Sequence, residues 1–346
     1  MDPLTQGVFG SLWALPAARR EQMRVAAVAG WLGGMAPDLD VLIRSSQDTL
    51  LQIEYHRHFT HSLAFIPVGG LAVALVLWPF VKKRAGFARL YLWCFLGYAS
   101  HGLLDSCTSY GTYLFWPFSD ARIALNWISV IDPLYTVPLL VLLVVGVWRR
   151  RPLAVGLAWA WLLGYMALAA VQNQRAEQAL ADWAREEGLG IERAVAKPAF
   201  ANIILWRAIV DDGERFHLTA IRNLPGTPTR VWSGGAVEPF DTRAWAAETR
   251  LGRDLARFEH FSSDWLFRYR PYDRDGEWFV GDFRYAIDPA SQRPLWGIRF
   301  DPDSPDERAR YTTPRRVTDA ERERFFARLR GQKAAIDTPI DTSIED

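Results

Sequence analysis

The sequence has little cysteine and histidine, and it lacks a stripe of basic residues interleaved with aromatic ones. Its two cysteines, Cys94 and Cys107, lie in one apolar segment, which predicts small buried side chains rather than a disulfide or a metal knuckle. The 40 Lys and Arg residues nearly balance the 39 Asp and Glu residues. We therefore expect no nucleic-acid partner.

Charged residues are scarce in the apolar runs of the first half of the chain. A membrane-spanning helix needs about 20 mostly apolar residues. Runs of about this length cover 25–43, 63–81, 90–107, 131–148 and 152–171. The shorter run 3–18 predicts a brief helix that pairs with 25–43 as a hairpin. The N-terminus lacks the charge order of a secretory signal, so we expect it to be retained. The prediction is an all-α polytopic membrane domain of five or six helices over residues 1–172.

Basic residues predict how this domain is oriented, because loops rich in Lys and Arg stay in the cytoplasm. They cluster in every second turn between the runs: Arg19, Arg20 and Arg24, then Lys82, Lys83, Arg84 and Arg89, then Arg149, Arg150 and Arg151. The other turns then face the outer side of the membrane. Residue 172 is expected to emerge on that side, followed by the rest of the chain.

The second half of the chain has the composition of a soluble protein. Residues 172–189 have helical spacing, and alternating apolar and polar residues predict strands within 200–210, 214–221, 265–272, 278–287 and 294–302. We therefore predict a soluble α+β or mainly β domain over 173–346, with a flexible tail from about residue 330. Its isolated histidines, His217 and His260, are interpreted as packing or surface residues.

Polar residues capable of binding a metal cluster at the ends of the apolar runs. HGLLD places His101 and Asp105 at i and i+4, on one face of a helix. The other two motifs are YHRHFTHS, which contains His56, His58 and His61, and PDLD, which contains Asp38 and Asp40. In the predicted topology all three motifs fall at one depth, near the outer surface of the membrane.

This combination of side chains predicts a metal-dependent hydrolytic site. Imidazoles and carboxylates hold divalent metals and leave a position for water, whose pKa the metal lowers to about 7. Placing a charged side chain at bilayer depth costs roughly 3 kcal/mol. Such a residue is therefore expected either to pair with another group or to have a function. The alternatives are a self-neutralising His101–Asp105 pair, histidines among lipid headgroups and solvated aspartates at a helix end. Thr60 and Asp132 are expected to cap the helices that follow them.

The motifs, taken in order, also resemble a known family. MDPLTQG, GGMAPDLDVLI, YHRHFTHSLAFIP, GYASHGLLDSCTSYGT and WPFSDARIALNWISVIDP resemble the YdjM-like family of predicted membrane-bound metal-dependent hydrolases, also described as LexA-binding and inner-membrane-associated. The resemblance covers about residues 1–170. It implies a bacterial inner-membrane location, a helical core similar to zinc-dependent phospholipase C and P1-type nucleases, bound zinc, and hydrolysis of a phosphoester.

The resemblance also points to individual residues of the three motifs. The predicted metal ligands are Asp38, His56, His61, His101 and Asp105. Asp40 and His58 are predicted to be catalytic, as a general base or as a ligand of a second metal. Family members often have a histidine where this chain has Gln6, a poor zinc ligand, so we expect one or two metals rather than a larger centre.

Three functional hypotheses follow from the sequence. The leading one is a hydrolase of a lipid-linked ester or phosphoester, with its zinc site at the outer face of the inner membrane. The second is a non-catalytic membrane protein with a structural metal and a soluble domain that binds a partner, which Gln6 favours. A transporter is a weaker third, because the polar groups gather at one face rather than at the membrane midplane.

Overall fold

The computed structural model of the protein describes residues 1–314 and 317–333, and the chain divides into two compact units. The first unit comprises Met1–Ile43, Tyr55–Val171 and Phe200–Asn202. The second comprises Arg44–Glu54, Gln172–Ala199 and Ile203–Asp346. Segment Arg44–Glu54 therefore belongs to the second unit, although the chain on either side of it belongs to the first. Most of the predicted flexible tail, from about residue 330, lies beyond Lys333 and outside the described residues.

The first unit is helical. In chain order the helices are α1 (Pro3–Ala14), α2 (Met23–Met35), α3 (Leu51–Glu54, in the second unit), α4 (Ile66–Val81), α5 (Phe87–Ser106), α6 (Pro133–Trp148) and α7 (Pro152–Glu186). Among the 3₁₀ helices of this unit, Ala36–Leu42 follows α2 directly, and Phe59–His61 lies shortly before α4. Asp132 caps α6 as predicted, because its carboxylate accepts hydrogen bonds from the N–H groups of Leu134 and Tyr135 at 3.1 and 3.2 Å.

Helical segments in this unit are suited to a bilayer. Among the described residues, Arg20–Leu42, Leu63–Val81 and Pro152–Glu186 are long and apolar enough to cross a membrane, and Pro133–Trp148 is a shorter apolar helix. In α4, Val76 and Phe80 are 70% and 77% exposed although both are apolar. Such an apolar face is unfavourable in water and fits lipid. Three of the five or six predicted membrane helices therefore meet the requirement for a crossing.

Glycines allow α1, α2 and α5 to approach one another closely. A Cβ atom added at Gly30 of α2 would lie 2.4 Å from the carbonyl oxygen of Gly10 in α1. A Cβ added at Gly97 of α5 would lie 2.3 Å from the carbonyl oxygen of Gly30. Small residues of this kind let membrane helices pack backbone to backbone. The predicted α1–α2 hairpin is present, and the end of α2 is held beside α5.

The second unit contains two antiparallel sheets. The first has the order β1 (Arg193–Pro198), β2 (Leu205–Asp211), β3 (Phe216–Arg222), β4 (Arg230–Val237). The second has the order β5 (Leu266–Arg268), β6 (Trp278–Asp282), β7 (Gly297–Phe300), β8 (Arg310–Thr312). Helices α8 (Arg250–Ser262) and α9 (Asp319–Leu329) and the later turns of α7 complete the described part. A buried core joins the two sheets and contains Ile209, Phe216, Leu218, Trp265, Phe267 and Phe283.

The predicted strand segments overlap five of these strands, namely β2, β3, β5, β6 and β7, and the first two extend one residue further than predicted. The predictions missed β1, β4 and β8 and the helices α8 and α9. The coarse prediction of a helical region followed by an α+β or mainly β domain is confirmed, since two antiparallel sheets follow the candidate membrane helices.

Candidate metal centre

Four side chains from the three predicted motifs converge in the first unit. They are Asp38, His61, His101 and Asp105, and one ligand atom from each lies within 4.8 Å of all the others. The Nε2 atom of His61 is 3.4 Å from Asp38 Oδ1 and 3.5 Å from Asp105 Oδ2. The Nε2 atom of His101 is 3.5 Å from the same Asp38 oxygen. Residues more than 60 positions apart in the sequence therefore surround one point.

Local structure explains why these side chains meet. Asp38 lies on the 3₁₀ helix that continues α2, and Pro37 is near the start of that helix. His101 and Asp105 lie one turn apart on α5. His61 ends the short turn Phe59–His61, which lies directly on α5, since a Cβ at Gly102 would be 2.4 Å from the His61 carbonyl oxygen. The close approach at Gly102 brings His61 to the i, i+4 pair.

Hydrogen bonds on the far side of each imidazole direct the Nε2 atoms inward. His101 Nδ1 lies 2.5 Å from the carbonyl oxygen of Gly34, which can only accept, so this Nδ1 carries the proton. His61 Nδ1 lies 3.2 Å from Asp40 Oδ2, which favours the same tautomer. The two Nε2 atoms are 2.8 Å apart. Two lone pairs at this distance repel unless a proton or a cation lies between them.

Asp40 orients His61 from the side away from this point. Its Oδ2 atom accepts hydrogen bonds from the Arg57 N–H at 2.9 Å and from the Thr60 hydroxyl at 2.8 Å. Its Oδ1 atom is 2.7 Å from His56 Nδ1. Thr60 therefore binds Asp40 and does not cap α4, which begins at Ile66; the prediction of a Thr60 cap was wrong.

Two predicted residues have different surroundings from the central group. His56 forms a second group with Asp38 and Asp40 that can also hold a cation, and its side chain is 34% exposed. His58 instead lies among aromatic rings, with its centroid 4.8 Å from that of Tyr113 and 5.5 Å from that of Trp116. The structure thus brings together every predicted site residue except His58. The predicted catalytic roles of Asp40 and His58 stay predictions.

Sequence reasoning missed the contacts that Arg57 and Gln6 make with Asp105. Arg57 is buried, and its Nε atom is 3.3 Å from Asp105 Oδ2. Gln6 donates from Nε2 to Asp105 Oδ1 at 2.8 Å, and the amino group of Met1 contacts the same oxygen. The sequence feature that could have indicated a role for Arg57 is its position between His56 and His58, shortly before the apolar run 63–81.

The chemistry of these donors fits a divalent cation. Asp105 is fully buried, and within residues 1–314 and 317–333 its Oδ2 atom accepts no hydrogen bond. Burial by itself lowers the pKa of His61, but Asp38 and Asp40 raise that pKa above its ordinary value, so this place favours positive charge. Two imidazole nitrogens and two carboxylate oxygens are a donor set that zinc and similar metals accept. Among these four side chains, only that of Asp38 has exposed surface, amounting to 18%.

Comparisons with known proteins find similarity in the part of the chain that contains the candidate centre. The family model described as YdjM inner membrane protein matches residues 1–176, which include every residue of the candidate centre. Inner membrane protein YbcI of Escherichia coli (strain K12) is 32% identical over 150 residues, which are 40% of this chain and 79% of that protein. No solved structure gives a significant match.

Proposed function

We propose that this chain, which belongs to the YdjM inner membrane protein family, is a membrane-bound metal-dependent hydrolase. The observation that carries the proposal is the convergence of His61, His101, Asp38 and Asp105 on one point. Zinc, or a similar divalent cation, is the proposed ligand of these four residues. When bound, such an ion supplies hydroxide near neutral pH and stabilises negative charge on a reacting ester.

The side chains around the four ligands have supporting roles in this proposal. Asp40 holds the imidazole of His61, and the Gly34 carbonyl holds that of His101, so both rings are oriented before a metal arrives. Arg57 offsets part of the negative charge on Asp105. The exposed part of Asp38 marks the side from which water and substrate would approach.

The proposed substrate is a lipid-linked ester or phosphoester. Asp38 lies near one end of the candidate span Arg20–Leu42, and His61 directly precedes the candidate span Leu63–Val81. Groups at the ends of membrane helices lie at the depth of lipid headgroups, where such an ester bond is found. The outer face of the inner membrane is the proposed side, from the distribution of basic residues. The predicted likeness to the phospholipase C helical core stays a prediction.

The test is the metal content and hydrolytic activity of the purified full-length protein in detergent. Wild-type protein should retain about one equivalent of metal and hydrolyse a phosphodiester or carboxylic-ester lipid. His101→Ala and Asp105→Ala should each lose both properties. His217→Ala is the matched control, because His217 also bonds a carboxylate, that of Asp212, at 2.6 Å in the second unit. Wild-type protein that is stable and active without metal would contradict the proposal.

A structural metal is the second candidate, and one observation favours it. The side chains of His61, His101 and Asp105 have no exposed surface, as in closed structural sites. In that case a chelator should lower the melting temperature, and none of the ester substrates should be turned over. Turnover that rises in proportion to the metal loaded would reject this candidate in favour of the hydrolase.

A further inference from the structure

The two motifs that meet at Asp40 are joined by a segment of the second unit. PDLD ends at Asp40 and the YHRH stretch begins at Tyr55, and between them lies Arg44–Glu54. The Asp40–His56 hydrogen bond of 2.7 Å and the Arg57 N–H bond to Asp40 of 2.9 Å close the chain into a loop. Closing a flexible loop has an entropy cost, which falls when the loop is already ordered.

Arg257 of α8 holds both halves of this segment. Its guanidinium donates to Asp48 at 3.1 Å and to Glu54 at 2.5 Å. It also donates to Asp254 on its own helix at 2.9 Å. Only 24% of the Arg257 side chain is exposed. Hydrogen bonds from one partly buried guanidinium to several carboxylates are among the stronger polar contacts in proteins.

Other contacts within the second unit hold the middle of the segment. Arg308 lies 3.1 Å from Asp48, and the N–H of Tyr311 in β8 donates to the Thr49 hydroxyl at 2.8 Å. Leu50 is almost completely buried. Ion pairs and a backbone hydrogen bond thus hold the segment to the rest of the second unit.

Charge balance makes Arg257 the central member of this group. Asp48, Glu54 and Asp254 carry three negative charges, and Arg257 and Arg308 carry two positive ones. Without Arg257, Arg308 would still contact Asp48 and Asp254, but Glu54 would lose the contact that attaches it to α8. Repulsion among the carboxylates would then push the end of the segment nearest His56 away from α8.

We propose that Arg257 is a positioning residue for the candidate metal centre. By holding Asp48 and Glu54 it orders the segment Arg44–Glu54, and the ordered segment lowers the cost of joining Asp40 to His56 and Arg57. Asp40 in turn orients the His61 imidazole. This assigns to the second unit a role in the geometry of the centre, and its metal-binding readout rests on the proposed function.

The test compares Arg257→Ala with Arg253→Ala in the full-length protein in detergent. Arg253 lies one turn earlier on α8, is exposed, and donates to the Glu248 carbonyl. Hydrogen exchange is measured in peptides covering 44–54 and 55–61, and zinc affinity is measured by competition with a chelator. Arg257→Ala should speed exchange at least tenfold in both peptides and weaken zinc binding at least tenfold. Arg253→Ala should do neither, and Arg257→Lys should recover part of both losses.

Each other outcome has a definite meaning. If faster exchange is confined to 44–54, and both 55–61 and zinc affinity keep their wild-type values, Arg257 has no positioning role. If wild-type protein binds no zinc, the proposed function fails, and exchange in 55–61 still decides the role of Arg257. Peptides from β2 and β6 report whether the second unit is folded. If Arg257→Ala unfolds it, the double variant Asp48→Asn, Glu54→Gln replaces it, because this variant keeps the Arg257–Asp254 pair.

Discussion

At the scale of single residues, Asp40 supports the imidazole of His61, one of the proposed metal ligands. Its Oδ2 atom lies beside the Arg57 N–H, the Thr60 hydroxyl and the His61 Nδ1 atom at 2.9, 2.8 and 3.2 Å. Changes to partners that orient a metal ligand typically cost about 10–100-fold in affinity. We expect Asp40→Asn to weaken zinc binding by about that factor, as measured by titration against a chelator, because a neutral amide accepts these bonds more weakly than a charged carboxylate.

Asp212→Asn is the control for this change. Asp212 makes the same kind of contact to a histidine, 2.6 Å from His217 Nε2, in the second unit. It should leave zinc affinity unchanged. An Asp40→Asn protein with wild-type affinity would show that the backbone alone orients His61.

Sequence reasoning could identify some of these residues but could not separate their roles. Residues at i and i+4 lie on the same face of any α-helix, so the pairing of His101 and Asp105 could be predicted once the segment was expected to be helical. The roles of Asp38 and Asp40 differ because a 3₁₀ helix follows Pro37, and sequence patterns do not specify that geometry. Arg57 was missed because its φ of 68° turns the chain locally in a way that no spacing rule predicts.

At the scale of the helices, the glycine contacts between α2 and α5 determine whether the site residues can meet. Replacing Gly with Ala inside a helix normally gains about 0.5–1 kcal/mol. At Gly97 the added Cβ would lie 2.3 Å from the Gly30 carbonyl oxygen, a backbone contact that no rotamer change relieves. Overpacking typically costs about 1–3 kcal/mol, which exceeds the gain. We expect Gly97→Ala to lower the midpoint of thermal unfolding in detergent.

Gly164→Ala in α7 is the matched control, because a Cβ at this position meets no atom within 4 Å. It should leave the midpoint unchanged or raise it slightly. Equal midpoints for the two variants would mean that α2 and α5 can separate without loss of stability.

In the second unit, a buried arginine holds the segment after β6. Arg207 of β2 donates to the carbonyl oxygens of Phe283, Pro289 and Ser291 at 2.7–3.0 Å. Burial lowers the pKa of Arg207 to about 9, so it is still charged at neutral pH. Arg207→Met would leave three carbonyl groups without this donor, at about 1–3 kcal/mol each.

We therefore expect Arg207→Met to speed hydrogen exchange of peptides from β2 and β6 by at least tenfold. Arg215→Met changes an exposed arginine that donates to the Ala236 carbonyl at 3.3 Å, and it should have little effect. Unchanged exchange in the Arg207 variant would mean that water replaces the lost donor.

The elements of the second unit show where sequence patterns fail. Strand β4 contains Gly234 and Gly235, which dilute its alternation, and β1 ends in a lysine and a proline. Helix α8 does have apolar residues at helical spacing, Leu251, Leu255 and Phe258, and this signal was overlooked. The membership of Arg44–Glu54 in this unit depends on contacts to residues about 200 positions later, which no local pattern contains.

At the scale of the whole molecule, charge and hydrophobicity together favour one orientation in the membrane. Lys82, Lys83 and Arg84 follow the candidate span that begins at Leu63, and Arg149–Arg151 precede the one that begins at Pro152. We propose that both basic turns face the cytoplasm. If so, each of these spans has its opposite end on the outer side. His61 lies two residues before the first of these spans, and the chain continues from the other span into the second unit.

Accessibility labelling tests this orientation in the full-length protein. Single cysteines are introduced as Lys83→Cys and Glu248→Cys, both at exposed positions, after Cys94 and Cys107 are replaced by serine. A membrane-impermeant maleimide added to intact spheroplasts should label position 248 at once and position 83 only after permeabilisation. The opposite pattern would place the second unit in the cytoplasm. The candidate centre would then face the inner leaflet, because His61 lies at the far end of the α4 span from Lys83, and a substrate in the outer leaflet would be ruled out.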